Sequence, residues 1–153
     1  MRRLTLHGVA ETHARGARLG ALLQVGDFVG LAGSLGAGKT ELTRAICEGA
    51  GVPMAQVGSP SYAIVATYEG GRVVVHHADL YRVGDLDELY ATGYFDLLDR
   101  GAAVVEWIDQ VPDAAPPDHL SIALEIAGVD SRTLSAQAHG PRSDALLVAW
   151  LGG

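Results

Sequence analysis

The sequence predicts an α/β fold with a mixed central sheet. Apolar runs of strand length alternate with segments of helical spacing, beginning with the run at 27–33 and the helical segment at 39–51. A Gly-Gly pair at 70–71 separates two strand-like runs within 62–79, which is typical of an antiparallel hairpin. The hairpin excludes a purely parallel sheet. A length of 153 residues with 48% hydrophobic composition suits one domain over 1–153 with a substantial core.

The other elements are predicted from local spacing and from helix and turn signals. In the helix predicted over 11–23, alanine and leucine recur at helical spacing, and Thr12 is placed to cap its start. The segment 51–62 is predicted to be a loop because prolines and glycines interrupt it. The later elements are a helix over 85–98, strands over 102–109, 119–126 and 132–139, a proline-rich break over 111–118 and a helix over 143–151.

The stretch GSLGAGKT at 33–40 fits G-x-x-x-x-G-K-[ST], the pattern of the phosphate-binding loop. An apolar strand precedes it and a helix follows it, as this motif requires. Gly33, Gly36 and Gly38 lack side chains where the backbone must approach phosphate or adopt positive φ. The start of the following helix adds unpaired N–H donors and a partial positive charge. Together with the alternating elements and the hairpin, the stretch predicts a P-loop NTPase-like three-layer domain with a mixed, mostly parallel central sheet.

Lys39 is the only lysine in the chain. Its slender amine suits a tight loop better than a planar guanidinium does, so we expect it to reach the β and γ phosphates. As an exposed loop residue, it should contribute little packing. The hydroxyl of Thr40 is expected to bind Mg²⁺. The motif indicates nucleotide binding but leaves the reaction open, because kinases, GTPases and motors share it.

Composition narrows the class of protein. The formal net charge of −7 argues against direct binding of tRNA or DNA by bulk electrostatics. Cys47 is the single cysteine, which excludes a disulfide framework within the chain and favours a reducing compartment. The sequence has neither an apolar run of transmembrane length nor a signal-peptide core after its two N-terminal arginines. We therefore expect a cytoplasmic protein without a membrane partner.

Two carboxylates follow apolar strands and are candidates for the metal site. Asp79 ends RVVVHHAD, and Glu106 ends AAVVE. Either of them can ligate Mg²⁺ while the other polarises the attacking water, and the residues alone do not choose between them. The neighbouring His76 and His77 point to opposite faces of a strand, so they cannot chelate one ion together. His77 shares a face with Asp79 and is expected to orient it.

The chain contains no asparagine, so the guanine-reading motif N-K-x-D is missing. ATP is therefore the expected nucleotide. Five motifs then carry a resemblance: GSLGAGKTEL at 33–42, SPSYAI at 59–64, HADLYR at 77–82, DLDEL at 85–89 and VVEW at 104–107. In this order, and over nearly the whole chain, they resemble the bacterial TsaE family, formerly called YjeE. HADLYR and VVEW together are much more specific than the phosphate loop.

The resemblance implies a small P-loop α/β ATPase that works with TsaB and TsaD in threonylcarbamoyl modification of the adenosine beside the tRNA anticodon. We expect such a protein to meet tRNA only through that complex. The resemblance implies that Asp79 supports hydrolysis, that Lys39 and Glu106 belong to the catalytic set, and that Thr40 and Glu106 hold Mg²⁺. The residues that it implies for the phosphates are Gly33, Ser34, Leu35, Gly36, Ala37, Gly38, Lys39 and Thr40.

Further sites follow from the same resemblance. Thr12 matches a position that meets the adenine, and Arg132 is placed on the other side of the base. SPSY at 59–62 is expected to be a switch-like segment near the γ-phosphate, where Ser61 replaces the usual threonine and keeps its hydroxyl. Ser34 stands where the family usually has an acidic residue in the loop. This chain therefore lacks the carboxylate that could place water or contact a partner at that position.

Two other functions compete with this interpretation. A small-molecule kinase would transfer the γ-phosphate to a metabolite, and it should have a substrate pocket with an arginine-bearing lid. The chain has only scattered arginines and no obvious lid insertion. A nucleotide-sensing module would bind ATP without useful turnover. The products of the reaction separate the three functions: an ATPase releases free phosphate, a kinase makes a phosphorylated metabolite, and a sensing module makes neither.

Overall fold

A seven-stranded mixed sheet forms the centre of the structure, a computed structural model that describes residues 1–58 and 64–152. The strand order is β1-β7-β6-β2-β5-β4-β3. The strands are β1 (Arg2–His7), β2 (Phe28–Gly33), β3 (Val65–Tyr68), β4 (Val75–Asp79), β5 (Ala102–Glu106), β6 (Leu120–Ile126) and β7 (Ser131–Ala138).

The middle of the sheet is parallel. Strand β2 pairs in parallel with both β5 and β6, and β4 pairs in parallel with β5. The outer pairings, β1 with β7, β7 with β6 and β3 with β4, are antiparallel. All five residues of β5 are buried, as expected for a parallel strand covered on both faces. The prediction of a mixed sheet with a mostly parallel core is confirmed.

Helices cover both faces of the sheet and complete three layers. On one face, a core cluster contains residues of α1, α2 and α5, and on the other face a second cluster contains residues of α3 and α4. The helices are α1 (Val9–Leu22), α2 (Lys39–Gly49), α3 (Leu86–Ala91), α4 (Tyr94–Leu97) and α5 (Pro141–Leu151). Two short 3-10 turns, Ile108–Gln110 and Pro112–Ala114, follow β5.

Helices α1 and α2 pack backbone to backbone through glycines. A Cβ atom added to Gly20 would overlap the carbonyl oxygen of Ile46, and one added to Gly49 would overlap that of Ala17. Only glycine allows so close an approach of two helices at these positions. The contact anchors α2, the helix that begins at Lys39.

Several predicted boundaries differ from the structure. Helix α1 begins at Val9, so Thr12 lies inside it rather than capping it, and the Thr12 hydroxyl donates to the Gly8 carbonyl at 3.4 Å. The predicted helix over 85–98 is two helices, because Gly93 adopts a left-handed conformation with φ of 80° between them. The strand predicted over 102–109 ends at Glu106. Strand β1 was not predicted, although Leu4 and Leu6 alternate with polar residues there.

Within residues 1–58 and 64–152, none of the helices combines the length and the hydrophobicity that crossing a bilayer requires.

Candidate functional site

The phosphate-loop motif lies between the end of β2 and the start of α2, in the strand–loop–helix context that the sequence predicts. Gly36 and Gly38 have φ of 81° and 106°, and a Cβ atom at either position would meet nothing within 4 Å. Conformation rather than crowding therefore requires glycine at these two positions. At Gly33, with φ of 144°, a Cβ atom would also overlap the Leu124 carbonyl oxygen. The loop thus presents its backbone to open space.

Lys39 is buried, with 5% of its surface exposed, so the expectation of an exposed side chain is wrong. Its amine reaches back over the loop and donates to the carbonyl oxygens of Gly33 at 2.7 Å and Ser34 at 2.9 Å. It also lies 3.9 Å from the centre of the Trp107 ring, within cation–π distance. Burial lowers the pKa of Lys39, and the carboxylates of Glu106, Asp109 and Asp79 oppose that shift.

Thr40 and Glu106 meet at the carboxyl end of the parallel strands. The Thr40 hydroxyl donates to Glu106 Oε1 at 3.0 Å, and 2% of the Glu106 surface is exposed. The two residues come together because β5 lies beside β2 in parallel register, with Glu106 opposite Leu31. Their hydroxyl and carboxylate oxygens are of the type that Mg²⁺ prefers.

Asp79 ends the neighbouring strand β4 directly opposite Glu106, so both predicted carboxylates lie at one edge of the sheet. Asp79 is half-buried, and its Oδ1 accepts a hydrogen bond from the Tyr81 backbone N–H at 2.9 Å. Glu106 contacts the Thr40 hydroxyl, whereas the backbone N–H of Tyr81 holds Asp79. The two carboxylates therefore have different surroundings, a distinction that the sequence leaves open.

His77 orients Glu106 rather than Asp79. Its Nε2 lies 2.6 Å from Glu106 Oε2, and its Nδ1 lies 3.1 Å from the Tyr68 hydroxyl. Both ring nitrogens are thereby engaged, so the expectation that His77 orients Asp79 is wrong. Residues 77 and 79 share a face of β4, as predicted, but the parallel neighbour β5 brings the Glu106 carboxylate within reach of the imidazole.

A cavity of about 440 Å³ joins the loop to the strand ends. Its lining includes Leu35, Gly36, Gly38, Lys39, Thr40, Asp79, Glu106, Trp107 and Arg132. A smaller cavity of about 80 Å³ adjoins it and is lined in part by Thr12, Ala37 and Arg132. Arg132 lines both cavities, and its Nε donates to the Ala37 carbonyl at 3.1 Å. The structure thus brings most of the predicted residues to two adjoining cavities, whereas Gly33 and Ser34 of the loop line neither of them.

Trp107 and Tyr81 line the larger cavity but were not predicted as site residues. Their rings lie 4.7 Å apart between centroids. Among the described residues, Trp107 is the only non-glycine residue with positive φ, at 60°. That backbone conformation turns the chain immediately after Glu106, and no local sequence signal predicts it. The predicted switch segment SPSY at 59–62 lies outside the described residues.

A mixed sheet with a parallel core, a glycine loop between strand and helix, and strand-end carboxylates beside that loop define a P-loop α/β protein. The chain belongs to the TsaE family: the family profile described as "Threonylcarbamoyl adenosine biosynthesis protein TsaE" matches residues 6–134.

Relatives and a solved structure agree with this assignment. The tRNA threonylcarbamoyladenosine biosynthesis protein TsaE of Bacillus subtilis is 35% identical over 137 residues, which cover 89% of this chain and 85% of that protein. The protein of the same name from Streptomyces coelicolor is 39% identical over 119 residues, covering 76% and 80%. The crystal structure of YdiB from Bacillus subtilis superposes with a TM-score of 0.77 at 29% identity, covering 97% of this chain and 94% of that one.

Proposed function

We propose that this chain is a Mg-ATP-binding accessory ATPase in the formation of threonylcarbamoyladenosine in tRNA. One observation carries the proposal: the buried Lys39 amine, the glycine loop and the Thr40–Glu106 pair line the same cavity of about 440 Å³. Membership of the TsaE family supports the pathway, since the relatives carry that biosynthetic role in their names. The whole chain, residues 1–153, is proposed to act as one domain.

The loop fits a chain of phosphates. Open space at Gly36 and Gly38 leaves room for phosphate oxygens beside the backbone N–H groups and the start of α2. The Lys39 amine, which now donates to two loop carbonyls, carries the positive charge that a β or γ phosphate would attract. The residues proposed to hold the phosphates are Gly33, Ser34, Leu35, Gly36, Ala37, Gly38, Lys39 and Thr40.

Thr40 and Glu106 would hold Mg²⁺, because their oxygens face the cavity together and are hard donors. When bound, the ion would neutralise charge on the phosphate oxygens. Asp79 lines the same cavity from the next strand and is proposed to orient the attacking water. Thr12 and Arg132, which line the smaller cavity, are proposed to contact the adenine.

The output of this ATPase is proposed to be a contact with the proteins TsaD and TsaB. The chain carries a formal charge of −7, so it should reach tRNA only through such a complex. We propose that it acts in the cytoplasm. ATP is proposed to favour docking and its hydrolysis to reset the complex, because a γ-phosphate can order groups near it that form part of an interface.

The test is tRNA modification reconstituted from purified components. This protein is omitted, supplied as wild type, or supplied as Lys39→Ala or Arg3→Ala, where the last variant removes an exposed cation from β1, on the edge of the sheet. We expect repeated rounds of modification, with release of free phosphate, only with the wild type and Arg3→Ala. Equal modification in all reactions would contradict the proposal. A phosphorylated metabolite in place of free phosphate would indicate a kinase.

A further inference from the structure

A chain of hydrogen bonds leads from the Thr40–Glu106 pair into the protein. Glu106 Oε1 accepts from the Thr40 hydroxyl at 3.0 Å, and Glu106 Oε2 lies 2.6 Å from His77 Nε2. His77 Nδ1 lies 3.1 Å from the Tyr68 hydroxyl, whose oxygen accepts from the Gly58 N–H at 3.3 Å. We call this series the Glu106–Gly58 relay. It runs through β5, β4 and β3 to the backbone beyond α2.

The direction of the bond between His77 and Glu106 follows from the chemistry of the two groups. A carboxylate only accepts, so His77 Nε2 carries the proton that points to Glu106. The Tyr68 hydroxyl lies 3.1 Å from His77 Nδ1 and also donates to the Gly58 carbonyl oxygen at 3.2 Å. Burial raises the pKa of Tyr68, which keeps that hydroxyl protonated and able to donate. Each group of the relay therefore has a role that a substitution can remove.

The groups of the relay are shielded from water. The exposed fractions are 2% for Glu106, 1% for His77 and 5% for Tyr68. A buried carboxylate is costly unless hydrogen bonds satisfy it, and here each of its two oxygens has a different partner. Because His77 holds Oε2, Oε1 is left facing Thr40 and the cavity. The orientation of the carboxylate thus depends on the imidazole.

The opposite face of the same strands carries a matched pair that does not enter the relay. His76 Nδ1 lies 3.0 Å from the Thr67 hydroxyl, and His76 is buried to a similar extent, with 4% exposed. His76 and Thr67 are direct partners in the β3–β4 register. They combine an imidazole with a hydroxyl, as His77 and Tyr68 do, but alternation along the strand points them away from Glu106.

We infer that His77 and Tyr68 are positioning residues of the Mg²⁺ site, which hold the Glu106 carboxylate with one oxygen toward Thr40 and couple it to the backbone at Gly58. This inference rests on the proposed function and deepens it. Groups that hydrogen-bond a metal ligand typically change metal affinity by about 10–100-fold when they are removed. His77 contacts Glu106 directly, whereas Tyr68 acts through His77, so its effect should be smaller.

The experiment measures binding of a fluorescent ATP analogue to the whole chain as Mg²⁺ is titrated, and again in EDTA without Mg²⁺. The variants are His77→Ala, His77→Gln and Tyr68→Phe, with His76→Ala and Thr67→Val as controls from the other face. Gln offers an amide N–H where His77 presents Nε2, so it tests for rescue. Tyr68→Phe removes only a hydroxyl and keeps the ring. It should therefore fold, and it still tests the relay if His77→Ala fails to fold.

We expect His77→Ala to raise the Mg²⁺ concentration at half-maximal binding by about 10–100-fold. Tyr68→Phe should raise it by about three- to tenfold, as the loss of one neutral hydrogen bond implies. His77→Gln should recover most of the loss, the controls should match the wild type, and the affinity in EDTA should not change. These results would support the relay.

Two outcomes would overturn the inference in distinguishable ways. The first outcome is that the wild type binds the analogue in a Mg²⁺-dependent way and that His77→Ala and Tyr68→Phe have the same Mg²⁺ dependence, or that the control variants shift as much as they do. In that case the positioning role is wrong and the proposed function stands. If the wild type binds no nucleotide, or binds it without any effect of Mg²⁺, the proposed function fails and the inference with it.

Discussion

Lys39 combines burial, two carbonyl acceptors and an aromatic ring at one amine. Replacing it with alanine removes the charge that phosphates would meet, so we predict a loss of ATP affinity of about 10- to 100-fold, the value of charged hydrogen bonds. Calorimetric titration with ATP measures this loss of affinity. Arg3→Ala is the control because it removes an exposed cation on β1. Unchanged affinity in Lys39→Ala would contradict the phosphate-binding role.

The roles of the two strand-end carboxylates, Glu106 and Asp79, can be distinguished by replacing each with the amide of the same shape, which removes only its charge. Glu106→Gln keeps a partner for Thr40 but loses a metal-binding charge, so the Mg²⁺ dependence of nucleotide binding should weaken by about 10-fold or more. Asp79→Asn should leave binding intact and slow hydrolysis by about 100-fold or more. Binding and phosphate release, measured on both variants, check this division. Wild-type turnover by both at limiting Mg²⁺ would show it to be wrong.

At the scale of elements, the contact between α1 and α2 depends on Gly20. Alanine at an interior helix position normally stabilises by about 1 kcal/mol relative to glycine. Here the added Cβ atom would overlap the Ile46 carbonyl oxygen, and overpacking typically costs about 1–3 kcal/mol. We therefore predict that Gly20→Ala lowers the free energy of unfolding in urea. Ala21→Gly, at an exposed neighbour, measures the propensity effect alone, and a gain in stability for Gly20→Ala would refute the packing argument.

The start of α5 is held by Asp118, which accepts from the Ser143 hydroxyl at 2.6 Å, the Ser143 N–H at 3.0 Å and the Arg142 N–H at 2.9 Å. These bonds lower the pKa of Asp118 from its ordinary value of 3.8, and the Ser143 hydroxyl makes the largest contribution. A carboxyl group whose pKa is lower in the folded state stabilises the fold at pH values above its pKa in the unfolded chain. This contribution is lost as the pH falls through the pKa of the folded state.

Asp118→Asn should therefore lower the Tm at about pH 7, where the wild-type carboxylate is charged, and have a smaller effect at about pH 2. Melting curves of both proteins at the two pH values measure the difference. Asp113→Asn serves as the control because Asp113 is exposed and lies in a 3-10 turn before β6. An equal loss of Tm at both pH values would indicate that the charge of Asp118 is not what matters.

Local patterns predicted most elements, and contacts between distant segments explain what was missed. The glycine loop, the hairpin and the ends of β4 and β5 depend on neighbouring residues, so sequence alone locates Lys39, Asp79 and Glu106. The bond between His77 and Glu106 depends on the register of two strands that are far apart in sequence, which periodicity does not reveal. For the same reason, the burial of Lys39 under Trp107 could not be predicted.

At the scale of the whole molecule, the site has two adjoining cavities that we propose for a nucleotide, and the chain has a net charge that disfavours RNA binding. We predict that TsaB and TsaD are retained by immobilised wild-type protein at least severalfold better with Mg-ATP than with Mg-ADP, because the proposed function requires nucleotide state to bias the interface. Lys39→Ala should lose this difference. Retention that is equal with ATP, with ADP and without nucleotide would contradict docking controlled by ATP.

The order of the strands also has a consequence for synthesis of the chain. Among the strands that the structure describes, β1 pairs only with β7, and Arg2 lies opposite Ala136. At about 5–20 residues per second, a ribosome takes on the order of ten seconds to make the segment between these strands. Until then β1 lacks the strand that it pairs with, and β2 likewise lacks its neighbours until β5 and β6 have been made. The phosphate loop therefore cannot take its final place before β6 has been made, and we expect a nascent chain to acquire nucleotide binding only after that point.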